Sequence, residues 1–231
     1  MLNLNMLLKN IPAIAVVLND RDVLSLKENS LKDTDLIELR VDMFENLMEV
    51  ENIFNTARKK FNLPLICTIR SPQEGGMIDI PDRLSIYFKM IPFCDFFDIE
   101  IFSDEAGALR ELSLKNNIKL IGSYHRFDTT PSTEELERVF EKGFNLGVDI
   151  IKIATMVNER EDIERLSLFL LNHRKNNIIV IGMGKKGRLT RVIFPALGSL
   201  ITYASLNISS APGQISLQDM VDIFRKLDLR D

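Results

Sequence analysis

Short runs rich in Ile, Val and Leu recur along this chain at intervals of roughly 23 to 32 residues, the period of a strand followed by a helix in a parallel sheet. The runs are Ile11 to Leu18, Leu36 to Asp42, Pro64 to Arg70, Phe96 to Ile101, Lys119 to His125, Asp149 to Thr155, Asn177 to Gly184 and Ile201 to Leu206. Most are continuous rather than alternating, as strands covered on both faces require. Helical segments fill the gaps. Phe44 to Lys60 is one, and Ser132 to Asn145 is another, with Ser132 and Glu135 at capping-box spacing after Pro131. A third, Asn158 to Lys175, puts Ile163, Leu166, Phe169 and Leu170 on one face. Eight such units favour a closed (β/α)8 barrel over an open doubly wound sheet.

The size of the chain agrees with that reading. At 231 residues, 45% of them apolar, residues 1–231 suffice for one undivided barrel, and no low-complexity linker marks a boundary. A net charge of −4 with scattered lysines and arginines argues against a nucleic-acid partner, which calls for a basic stripe. No apolar run reaches the roughly 18 residues of a membrane span. The start, Met1-Leu-Asn-Leu-Asn-Met6, lacks the basic segment and cleavage site of a signal peptide, so a cytoplasmic location is expected. Cys67 and Cys94 both sit in apolar surroundings and read as buried thiols in a reducing compartment.

A barrel places its chemistry at the carboxyl ends of the strands and in the loops that follow. Glu38, Arg40 and Asp42 share one parity on the second run, Arg70 closes the third, and Glu100 nears the end of the fourth. His125 closes the fifth, Lys152 sits on the sixth, and Met183 and Gly184 close the seventh. Strand beginnings carry few polar residues. Lys152 constrains the chemistry most, because it interrupts the apolar run Asp149-Ile-Ile-Lys152-Ile-Ala-Thr155. Burial disfavours an ammonium, so a lysine there either reaches water or a carboxylate, or sits with a lowered pKa as an amine nucleophile toward carbonyls. His125, about one strand-and-helix unit upstream, is a candidate acid and base.

Other features are less specific. Glu38 and Arg40 read equally as an interior ion pair or as site residues. Arg70-Ser-Pro-Gln-Glu74-Gly75-Gly76 suits a loop that approaches a ligand closely, and equally a plain turn. Gly182 to Arg188 fails the phosphate-loop pattern and reads as a glycine-rich turn. Asp98 and Glu100 suggest a metal pair without the accompanying ligand spacing. His173, beside Arg174 and Lys175, is expected at the surface.

Taken in order, the blocks Glu38-Leu-Arg40-Val-Asp42, Thr68-Ile-Arg70 with Glu74-Gly-Gly76, Asp98-Ile-Glu100, Ser123-Tyr-His125 with Phe127 and Thr130-Pro131, the Lys152 strand, and Met183-Gly184 through Arg191 to Ser210-Ala-Pro-Gly-Gln214 resemble the type I 3-dehydroquinate dehydratases of the shikimate pathway. The resemblance covers nearly the whole chain. It implies a TIM barrel that dehydrates 3-dehydroquinate to 3-dehydroshikimate by syn elimination through a Lys152 Schiff base, without metal or organic cofactor, and a homodimeric assembly. In the implied roles His125 is the general base and acid and Glu74 orients it. Arg191 reads the substrate carboxylate with Arg70 nearby, Glu38 and Arg40 meet hydroxyls, and Met183 packs on the ring. Ser210, Ala211 and Gln214 belong to a loop closing over the ligand. Thr190 stands where the family usually has serine, Val17 where many members have serine, and Met1 to Asn10 is too short for the hairpin that often covers the barrel bottom. A class I aldolase-like barrel would instead need a phosphate site in the last two loops. A non-catalytic binding barrel would be marked by loss of Lys152 or His125.

Overall fold

The computed structural model describes residues 12–206 and 211–230. Residues 1–11, including Ile11 and the Met1 to Asn10 segment, and Ser210 lie outside them. The expected strands form β1 (Ala13–Leu18), β2 (Leu36–Arg40), β3 (Leu65–Thr68), β4 (Phe96–Glu100), β5 (Lys119–Arg126), β6 (Ile150–Met156), β7 (Ile178–Met183) and β8 (Ile201–Ser205). A two-residue β9 (Ile215–Ser216), too short to register as an apolar run, pairs with β8. All pairings are parallel, in the order β7-β6-β5-β4-β3-β2-β1-β8-β9. The ring turns back on itself where Ala13 lies beside Ile201, giving a (β/α)8 barrel.

Its seam lies between β7 and β8. There the backbone bond Leu200 N to Ile178 O, 2.9 Å, and the Ser199 hydroxyl accepting from Val180 N, 3.0 Å, stand in for a ladder.

Inward-facing side chains change character with height. Leu36, Ile66, Phe96, Ile121, Ile150, Ile179 and Ile201 make a dry floor. Two residues further along their strands come Glu38, Thr68, Asp98, Ser123, Lys152 and Tyr203, all buried, with β7 alone among these strands staying apolar at Ile181. Because strand side chains repeat every second residue, this step from apolar to polar sets the bottom of the site. The outer faces of the strands pack on the helices in two further apolar clusters.

Local exceptions have tertiary causes. The α-helix expected over Phe44 to Lys60 starts only at Val50 and runs Val50–Phe61, because the Asp20 carboxylate accepts from Glu45 N and Asn46 N and the chain then makes a short 3-10 turn over Leu47–Glu49. β3 stops at Thr68 because Ile69 N donates to the Tyr87 hydroxyl and Arg70 N to Asp42. Ser132 caps Thr133–Leu146 as its spacing predicts, but the Glu135 side chain does not close a capping box. It accepts from Arg126 instead, at 2.7 Å. His173, expected at the surface, is half-buried: its ring centre lies 3.9 Å from that of Phe140, and Nε2 meets Glu137.

The strand beginnings are also more polar than expected. Asp35, Asp95 and Asp149 immediately precede β2, β4 and β6, and their carboxylates accept from Ile14 N, Leu65 N and Leu120 N of the preceding strands. Arg230, Arg58 and Arg110 neutralise them in turn. These aspartates bind strand starts at the closed end, away from any chemistry. Cys67 and Cys94 are free and buried, as expected. Among the described residues, no helix is long and apolar enough to cross a membrane.

Candidate active site

At the carboxyl ends of the strands a cavity opens, and Glu38, Arg40, Arg70, Glu74, His125, Lys152, Met183, Arg191, Ala211 and Gln214 all line it. Ser210 is the one candidate site residue outside the described residues.

Lys152 stands at the cavity base, in register with Ser123 of β5 and Ile179 of β7. Its Nζ donates to Asp98 Oδ2 at 3.0 Å and to Glu38 Oε1 at 3.4 Å, and lies 4.3 Å from the centre of the Tyr203 ring. These neighbours overturn the expectation of a lowered lysine pKa. Burial does push it down, but Asp98 and then Glu38 push it up further, and the net shift is upward. Lys152 is therefore an ammonium in the free protein. Glu38 is committed to Lys152 and Thr68 rather than to Arg40, and Arg40 forks onto Asp42 at 2.8 and 2.7 Å. The interior ion pair is thus Glu38 with Lys152, and Arg40 belongs to a second one.

Asp98 joins the charges together. Its carboxylate accepts from Arg70, Ser123 and Lys152. Burial works to raise its pKa, but Arg70 and Lys152 hold it well below the usual carboxylate range. Arg70 also donates to Glu100 at 3.0 Å, and Glu100 accepts from Arg83 at 2.6 Å. The two carboxylates that suggested a metal pair are occupied by internal cations, and Arg70 is held by them.

His125 ends the same inward row of β5 as Ser123. Burial, with Arg70 and Lys152 nearby, lowers its pKa well below the ordinary value, so at neutral pH it is an uncharged imidazole. Glu74 Oε2 fixes it twice, accepting from the backbone N at 2.8 Å and lying 3.0 Å from Nδ1. If Nδ1 carries the proton toward that carboxylate, Nε2 is left as the basic nitrogen. Burial raises the Glu74 pKa from 4.5 to about 7 against the pull of Arg70. On the other side the Phe127 ring stacks on the imidazole, 6.4 Å between centres and 18° between planes. Gly75 makes this possible: its φ is 86°, and a Cβ there would lie 2.5 Å from Phe127.

Arg191 lies in the helix Thr190–Leu197. Thr190 anchors that helix to β7, accepting from Gly182 N at 2.9 Å and donating to Gly187 O at 2.7 Å, so it keeps the bonding a serine would supply. Arg191 is only 2% exposed, yet its partners are two carbonyls, Tyr203 O and Pro212 O, each at 3.3 Å. Its Nε has no hydrogen-bond partner among the described residues. Burial, then Arg188, lowers its pKa to about 10. A buried guanidinium without a carboxylate among the described residues keeps its charge uncompensated and can pair with an anion that enters the cavity.

Sequence reasoning gave no role to Tyr203 or Phe127. Tyr203 sits two residues beyond Ile201 on the eighth run, so strand parity alone marks it as inward-facing. Phe127 follows β5, and only the Gly75 contact reveals its placement.

The mouth of this (β/α)8 barrel thus gathers a lysine, a neutral histidine held by a carboxylate, and a buried arginine that meets only carbonyls among the described residues. The model of the Type I 3-dehydroquinase family matches residues 13–231. A 3-dehydroquinate dehydratase of Thermodesulfovibrio yellowstonii is 63% identical, covering 97% of this chain and 100% of that protein. The crystal structure of the 3-dehydroquinate dehydratase from Aquifex aeolicus superposes with a TM-score of 0.82 at 36% identity, over 93% of this chain and 98% of that one. A type I 3-dehydroquinate dehydratase from Clostridium difficile, solved with covalently modified comenic acid, gives a TM-score of 0.84 at 30% identity over 94% and 92%. The chain belongs to the type I 3-dehydroquinase family.

Proposed function

We propose that this chain, a 3-dehydroquinate dehydratase of the shikimate pathway by its family, converts 3-dehydroquinate to 3-dehydroshikimate by syn elimination through a Schiff base on Lys152, without metal or organic cofactor. The observation that carries the reading is Lys152 between Asp98 and Glu38 at the base of the cavity, with neutral His125 in the wall above.

The charge state of Lys152 supports this chemistry. Condensing an ammonium with the C3 ketone gives a protonated imine and water, so the positive charge is conserved. The carboxylates that favour the ammonium favour the iminium equally, which holds the electron sink in its active, protonated form. Neutral His125 takes the C2 proton, and the C–H electron pair moves into a C2–C3 enamine double bond. The imidazolium then returns that proton to the departing C1 hydroxyl, which leaves as water as the enamine pair forms the C1–C2 double bond. Hydrolysis of the iminium restores Lys152 and releases product. Arg191 holds the substrate carboxylate, Glu38 and Arg40 lie where hydroxyls would reach them, Met183 packs on the ring, and Ser210, Ala211 and Gln214 close the loop. Arg70 acts mainly by fixing Asp98 and Glu100.

Borohydride added during turnover tests the reading. It should fix a reduced adduct on the peptide containing Lys152 and inactivate the protein, and Lys152→Ala should give neither adduct nor turnover. Turnover of 3-dehydroquinate without a trappable adduct, or an adduct on Lys185 or Lys186, rejects Lys152 as the nucleophile. A single catalytic domain over residues 1–231, a homodimer and a cytoplasmic location belong to the same proposal, and light scattering on the purified protein measures the assembly.

A further inference from the structure

Three buried side-chain polar atoms lack a hydrogen-bond partner among the described residues, and two of them belong to residues that line the active cavity. One is Arg191 Nε, already accounted for by a substrate carboxylate. The other is the Tyr203 hydroxyl, on a residue 3% exposed. A buried hydroxyl without a partner is destabilising, and native proteins rarely keep one without a reason.

The placement of Tyr203 narrows the reason. β8 brings it beside Ala15 of β1, where a small neighbour leaves room for the ring inside the barrel. The ring face covers Lys152 Nζ at 4.3 Å, and this contact of a cation with an aromatic face needs the ring alone. Phenylalanine would supply it equally, so the contact does not explain the hydroxyl. Asp98 and Glu38 take two of the three N–H directions of the ammonium, and the hydroxyl is left without a hydrogen bond of ordinary geometry among the described residues. The backbone carbonyl of the same residue receives Arg191 at 3.3 Å, so Tyr203 links the amine end of the cavity to the anion end.

We propose that the Tyr203 hydroxyl is a further catalytic group, donating a hydrogen bond to the oxygen on the carbon that Lys152 attacks. This rests on the imine reading above. Nζ first passes one ammonium proton to a carboxylate beside it, Asp98 or Glu38, and the freed lone pair then forms the N–C bond as the carbonyl π pair moves onto that oxygen. The Tyr203 O–H stabilises the developing charge without giving up its proton. The carboxylate returns that proton to make the carbinolamine hydroxyl, and the C–O bond then breaks, with a further nitrogen proton leaving in the water. Burial raises the phenol pKa further, ahead of an opposing effect from Lys152, so the group stays protonated and serves as a donor throughout.

Tyr203→Phe keeps the ring over Lys152 and removes only the hydroxyl, and three measurements separate the possibilities. Trapping with borohydride at timed intervals should give the Lys152 adduct in both proteins, formed about tenfold more slowly in the variant, the effect of one buried hydrogen bond. kcat/KM should fall by a similar factor. The thermal midpoint of the ligand-free variant should rise, since an unpaired hydroxyl has been removed. Adduct formation at the wild-type rate, or a lowered midpoint with unchanged kcat/KM, overturns the proposal and makes the hydroxyl structural. Absence of any adduct in the wild-type protein instead overturns the imine reading, and this proposal falls with it.

Discussion

At the scale of single residues, two charges on the cavity wall make opposite demands on folding and function. Glu74 is pushed up to about 7, and only its ionised form accepts a proton from His125 Nδ1. kcat/KM should therefore rise with pH through an apparent pKa near 7, and Glu74→Gln should lose that limb while lowering the plateau. Stability runs the other way. A carboxylate whose folded pKa lies above its unfolded value favours the protonated folded state, so its contribution is best below the unfolded pKa and declines as pH climbs from about 4.5 to 7. Glu74→Gln should then stabilise the protein at pH 8, by at most about 3 kcal/mol, as urea titrations at pH 5 and pH 8 would show. Arg191→Ala should raise KM about a hundredfold, on the order of 3 kcal/mol for a buried anion left without its cation; steady-state kinetics showing a near-normal KM would remove Arg191 from the site. The burial of Lys152 was legible in its apolar strand, but its charge was not. The carboxylates that decide it lie 54 and 114 residues away in sequence, and only the barrel brings them within reach.

Elements carry the loop that follows β8. Gly213 has a φ of 76°, and a Cβ on it would lie 2.2 Å from Gly184 O, while Pro212 O accepts from Gly184 N at 3.1 Å. The loop after β8 therefore rests directly on the turn after β7. Gly213→Ala should lift it away, disturbing the Pro212 carbonyl that receives Arg191. KM should rise severalfold with less effect on kcat, and a variant with unchanged kinetics and an intact fold would argue that the loop does not frame the ligand. The strands themselves were readable from apolar run length, because a buried parallel strand needs little else. The helix expected from Phe44 was not, since Asp20 from another part of the chain overrides local propensity there. The capping box at Ser132 was half right for a similar reason: spacing identifies which groups can meet, and Arg126 offered Glu135 a charged partner instead.

On the scale of the whole barrel, the seam is the weakest circumferential join. β7 and β8 meet through one backbone bond and the Ser199 side chain, whereas β5 and β6 align over six residues. In hydrogen–deuterium exchange the Val180 and Leu200 amides should lose protection before those between β5 and β6. Ser199→Ala, which leaves Val180 N–H buried without its acceptor, should destabilise the protein by about 1–3 kcal/mol. Equal protection at both places would show that the seam is as firmly closed as a ladder. The seam also bears on the order of events during folding. β1 through β7 pair with successive neighbours, but β1 and β8 come from opposite ends of the sequence, and their meeting carries the largest chain-closure entropy. Lys152 and His125 belong to the part that can assemble first, whereas Arg191, Tyr203 and Gln214 all come from the stretch after β7. A refolding chain would thus acquire its reactive amine before its grip on the substrate, and catalytic activity should return only in the slowest phase, after most helical signal has already recovered.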